Sequence, residues 1–106
     1  MKLLNKKKEL KEVIDYFGEE HQLYKQTPEE LHELHGALFD LSVSQNSYDK
    51  RVNRQHVIEE MADCVVMFLQ VAKILDFDVR DVKRIMDSKI ERTIKRIESG
   101  YYAEKK

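Results

Sequence analysis

Turn-forming residues are almost missing from this chain: 3 glycines and 1 proline punctuate 106 residues. Sheets and barrels need frequent turns, so so little punctuation leaves long helices as the main option. Charge content agrees. Asp, Glu, Lys and Arg make up 37% of the residues and the apolar set 42%, enough to bury one face of each helix while the other stays in water. A domain of this length has room for only a modest core. The expected fold is all-α, a four-helix-bundle-like single domain over residues 1–106 with a tail from about residue 99.

Leu10, Val13, Ile14 and Phe17 recur at helical spacing and predict a first helix over 6–17, stopped at Gly18. Two readings of the next stretch stand. A short helix over 19–26 is followed by a new one with Thr27 as N-cap and Pro28 in its first turn, or 19–42 is one helix kinked at Pro28. Residues 43–54 are polar and lack a helical period, which predicts a loop. A third helix is expected from about Arg54 to Leu75. The fourth opens at Asp78, with Asp81 as the capping partner, carries Val82, Ile85, Met86, Ile90 and Ile97 on one stripe, and ends at Gly100. Tyr101 and Tyr102 follow, able to dock on a neighbour.

Several function classes fall away at this point. A formal charge of -1 carries no nucleic-acid signature, and the short basic runs Lys6-Lys7-Lys8 and Lys50-Arg51/Arg54 read as solvated faces. The single cysteine, Cys64, cannot form an internal disulfide and sits in an apolar run, as a packed thiol would. No apolar stretch is long enough to span a bilayer, and no apolar block follows the lysine-rich start. A cytoplasmic protein with neither nucleic-acid nor membrane partners is expected.

Acidic residues break the amphipathic pattern in two places. At about 100° per residue, Glu30 falls on the stripe of Leu34, Ala37 and Leu41, with Glu33 one step to the side. In the third helix, Glu60 and Asp63 share a side with Cys64, Met67, Val71 and Ile74. Each pair is three residues apart, so its two side chains point the same way. A carboxylate among apolar neighbours loses several kcal/mol of hydration unless paired, protonated or bound to metal. Converging carboxylates also repel and raise one another's pKa. Partner cations such as Lys89 and Arg92, or solvation at helix ends, are one remedy. A divalent ion is the other, and oxygen-only ligands favour Mg²⁺ or Mn²⁺ over zinc. Spacing alone leaves both open.

The same residues carry a resemblance. Glu29-Glu30-Leu31-His32-Glu33 has the form EExxE, and Glu60-Met61-Ala62-Asp63 the form ExxD, 27 positions after Glu33. In that order and setting, the chain resembles the MazG-like all-α nucleoside triphosphate pyrophosphohydrolases, in particular their short, phage-type members. The lead-in YFGEEHQLYKQTPEELHEL, the helix VIEEMADCVVMFLQVAKIL and the basic segment KIERTIKRI extend the similarity over roughly residues 13–98. The resemblance implies Mg²⁺-dependent hydrolysis between the α and β phosphates, with Mn²⁺ as a substitute, giving a nucleoside monophosphate and pyrophosphate. By position, Glu30, Glu33, Glu60 and Asp63 would hold the metal. Glu29 is the catalytic candidate, standing behind the ligands or orienting the attacking water. Lys25, Lys89, Arg92 and Arg96 are candidates to steady the substrate's phosphates. The family's fold, completed by a homodimer or homotetramer, suits a third helix that is apolar around most of its girth.

Departures from the family pattern are also visible. Thr27-Pro28 interrupts a position where a helix usually continues, and His32 and His35 replace small or neutral residues while pointing away from Glu30. Two other readings compete. A di-iron carboxylate bundle wants two ExxH pairs, and only Glu29-x-x-His32 is present. A non-catalytic helical module that binds nucleotide or protein is the alternative from outside the enzymes.

Overall fold

The longest helix begins where a side chain can cap it. In the computed structural model, which describes residues 6–103, Asn46 is extended and its side chain accepts the backbone N–H of Asp49 at 2.9 Å. That bond starts a helix over Ser47–Ile74, 28 residues long. The helix therefore opens seven residues before the expected start at Arg54. Residues 47–53 lack an apolar period because none of them is buried, so the Asn46 cap and the helix beyond them define their conformation. Asn53 Nδ2 adds a tie to the preceding turn, donating to Asp40 O at 3.2 Å and Ser44 Oγ at 3.0 Å.

Four α-helices follow one another, α1 (Lys7–Phe17), α2 (Gln26–Ser42), α3 (Ser47–Ile74) and α4 (Val79–Glu98), with a π turn over His21–Lys25, and no strand occurs among the described residues. Gly18 ends α1 with φ +94°, a left-handed value that costs glycine little. From Glu19 the chain is helical through Ser42, so the single-helix reading of 19–42 describes it better. The distortion lies before Pro28. Gln26 N–H reaches back five residues to His21 O. Continuing that pattern would pair Leu23 O with residue 28, but Pro28 has no N–H. The Thr27 hydroxyl donates to Leu23 O instead, at 2.8 Å. Thr27 is thus not an N-cap; it satisfies a carbonyl that the proline cannot.

The described residues fall into two compact units, divided between Leu75 and Asp76. In the first, α2 and α3 form the main packing, and Leu10 and Ile14 of α1 are buried. Ala37, Cys64, Met67 and Ala72 complete the buried apolar set. Gln22 in the π turn donates to Gln70 of α3 at 2.7 Å, so both buried amides are engaged. Leu31, Leu38, Ile58, Met61, Val65 and Phe68 remain exposed, leaving α2 and α3 a second apolar side each.

The second unit is α4 with its two ends. Asp78 caps it by accepting Arg80 N–H at 2.8 Å, while Asp81 faces Arg84 at 3.2 Å. At the other end Tyr101 N–H returns to Arg96 O and Gly100 N–H to Ile97 O, with Gly100 at φ +80°. No residue of α4 is buried, although its apolar stripe is that expected. The tail tyrosines stack edge to face on each other at 5.0 Å, and the Arg96 guanidinium lies over Tyr101; 104–106 lie outside the described residues. Among the described residues no helix is long and apolar enough to cross a membrane.

Candidate metal centre

Pairing of α2 with α3 brings the four expected acids together. One carboxylate oxygen from each of Glu30, Glu33, Glu60 and Asp63 lies within 4.8 Å of the others. Glu30 and Glu60 are half-buried and Glu33 and Asp63 exposed, so the cluster has an inner pair and an outer pair. The inner pair follows from the helix wheel: Ala37 is buried on the Glu30 stripe, as are Cys64 and Met67 on the Glu60 side. Packing those apolar residues forces the two glutamates inward.

The inner carboxylates are only half satisfied. Gln26 Nε2 donates to Glu30 Oε1, and His56 Nε2 meets Glu60 Oε1 at 3.1 Å. Glu30 Oε2 and Glu60 Oε2 are buried with no hydrogen-bond partner. Buried orphan acceptors are uncommon, and each costs on the order of 1–3 kcal/mol or more when charged. Among the described residues of the first unit, no lysine or arginine forms an ion pair with any of the four. Burial, then repulsion from Glu33 and Asp63, pushes the Glu30 carboxyl above its usual range; the Gln26 bond opposes this and Glu60 adds to it. The Cys64 thiol is raised too, first by burial and then by the four acids, and its Sγ sits 3.5 Å from Glu30 O. It is a packed thiol, as the sequence reading expects.

The donor set suits a hard divalent ion. All four ligand groups are carboxylates, and two of them, Glu30 and Glu60, each keep a buried oxygen without a hydrogen-bond partner, which such an ion would satisfy.

The remaining candidates are more dispersed. Glu29 is exposed in the first turn of α2, next to Glu30 but outside the cluster. Lys25 is exposed at the end of the π turn. Lys89, Arg92 and Arg96 belong to α4 in the second unit, with Arg96 held against Tyr101 at 5.0 Å. His32 and His35 are exposed. Gln26 and His56 are the site neighbours that sequence reasoning missed. Their signal was available: each precedes an off-pattern glutamate by four residues.

No protein-family model matches the chain, and comparisons with curated proteins and with solved structures return no match.

Proposed function

We propose that this protein is a divalent-metal-dependent nucleoside triphosphate pyrophosphohydrolase of MazG-like type, acting between the α and β phosphates. The observation that carries the reading is the pair of buried, unpartnered oxygens, Glu30 Oε2 and Glu60 Oε2, on two members of a cluster of four carboxylates. The ordered EExxE and ExxD motifs supply the reaction class. Glu30, Glu33, Glu60 and Asp63 would hold Mg²⁺, or Mn²⁺ in its place. When bound, such an ion neutralises phosphate charge and aligns the groups for in-line displacement.

The chain's own residues have the remaining tasks. Glu29, exposed beside Glu30, would orient the attacking water. Lys25 would meet the phosphates from the π turn. Lys89, Arg92 and Arg96 share one side of α4 by their spacing of three and four residues, a suitable arrangement for polyphosphate oxygens. The apolar residues left exposed on α3 and α4 favour a homodimer or homotetramer as the working form, since exposed apolar faces are commonly covered by a partner. A cytoplasmic setting, where nucleoside triphosphates are abundant, belongs to the same proposal.

The test is incubation of the full chain with Mg²⁺ and a panel of nucleoside triphosphates, including deoxy, methylated and deaminated forms, with assay for pyrophosphate. Release with at least one nucleotide, abolished by Glu60→Gln, is expected. No release from any member would leave the non-catalytic binding module as the better reading.

A further inference from the structure

The two inner glutamates share a second property: each is gripped by a side chain one helical turn before it. On α2 the carboxamide of Gln26 donates to Glu30 Oε1, and on α3 the imidazole Nε2 of His56 meets Glu60 Oε1 at 3.1 Å. The two arrangements are alike although they lie on different helices with different donors. In both, Oε1 is taken and Oε2 is left buried without a partner. The outer acids, Glu33 and Asp63, have no such donor among the described residues.

We infer that Gln26 and His56 are positioning residues for the metal centre, each fixing its glutamate so that Oε2 is presented to a divalent cation. This rests on the metal reading above and adds two residues that lie outside both acidic motifs. The geometry is direct. Residues four apart on a helix face one another, so each donor needs no support from a second element to reach its carboxylate. An engaged Oε1 removes the freedom of the carboxylate to rotate, and freezing a ligand before the ion arrives favours binding. The Glu60 side chain is 13% exposed and the His56 side chain 47%, so the histidine reaches in from the rim while the glutamate it holds is inside.

The type of donor matters as much as its place. A lysine or arginine at either position would reach the same oxygen, but its charge would cancel the field that attracts the cation and would compete with it. A carboxamide, or a neutral imidazole, orients the oxygen and leaves the negative charge for the metal.

The experiment is titration of the full chain with Mn²⁺, followed by the electron paramagnetic resonance signal of the free ion, at pH 8 where a histidine is ordinarily uncharged. Gln26→Leu and His56→Leu are expected to weaken Mn²⁺ binding by about 10- to 100-fold. Gln26→His and His56→Gln restore an N–H donor at the same spacing and are expected to recover most of the affinity. Gln26→Lys separates positioning from simple support: it is expected to raise the metal-free melting temperature while weakening Mn²⁺ binding. If the leucine variants do not fold, the exchanged-donor and lysine variants carry the test. Leucine variants that bind like wild type, or a lysine variant that binds as tightly, would overturn the inference. A wild-type chain that binds no Mn²⁺ would instead remove the metal reading on which it rests.

Discussion

Replacing Glu30 by glutamine removes one charge from the cluster and little else, since Gln26 can still bond to the new amide. Three acidic neighbours, Glu33, Glu60 and Asp63, offer oxygens within 4.8 Å. Coulomb's law at that distance gives about 1 kcal/mol of repulsion per pair in bulk water and about 3.5 kcal/mol at an effective dielectric constant of about 20. Glu33 and Asp63 are exposed, so their shares belong near the aqueous value, and even that is reduced by salt. A conservative total is about 2 kcal/mol of relief, which in a domain this small is a rise in Tm on the order of 10 °C. The assay is thermal unfolding followed by circular dichroism at pH 8, first with a chelator and then with excess Mg²⁺ or Mn²⁺. Without metal, Glu30→Gln is expected to melt above wild type. With metal the order narrows or reverses, because wild type gains about 2.7 kcal/mol at a hundredfold excess over Kd and the variant gains much less. A variant that melts below wild type in chelator, or that shows the same increment with metal, would refute the argument that these carboxylates repel until an ion joins them.

Other expectations follow from the same structure. In chelator, Glu30 contributes most to stability below its ordinary value of 4.5 and loses that contribution as pH rises through its raised one, so the gap between wild type and Glu30→Gln should close as melts are taken from pH 8 toward 4.5. Asp78 has the opposite sign: the Arg80 side-chain hydrogen bond, then its backbone N–H, holds it at about 2, so its contribution is present above 3.8 and lost as pH falls through about 2, which the carboxyl carbon shift in an NMR titration will follow. Met67 is a large apolar side chain with 1% of its surface exposed, and Met67→Ala should cost about 2–5 kcal/mol in denaturant unfolding. Asn46→Ala should cost about 1 kcal/mol and speed amide exchange in the first turn of α3, leaving the turns around Glu60 protected.

The parts of this fold that were legible in the sequence are those where burial imposes a period or a glycine imposes a φ. Gly18 and Gly100 mark helix ends as expected, both at positive φ, and Asp78 caps α4. The acids of the candidate site were legible for a related reason, since a charge on an apolar stripe is a departure that a wheel exposes. Residues 47–53 are not legible in the sequence because no buried face disciplines them; the local sign is the Asn46-to-Asp49 cap, whose polar residues look the same as those of a loop. Thr27-Pro28 misled because the pair usually opens a helix, whereas here a π turn ahead of it and the Thr27 hydroxyl absorb the proline. Gln26 and His56 stand four residues before the off-pattern glutamates, but that spacing becomes informative only once the carboxylates they hold are seen to be half-buried.

The central claim is that Glu30, Glu33, Glu60 and Asp63 form one divalent-cation site. Its most direct test is a crystal of the full chain grown with Mn²⁺, with anomalous difference density measured near the manganese edge. The account predicts a peak among the four carboxylates, bonded to Glu30 Oε2 and Glu60 Oε2, with Gln26 and His56 still on the opposite oxygens. Well-ordered carboxylates with no anomalous peak between them at saturating Mn²⁺ would contradict it.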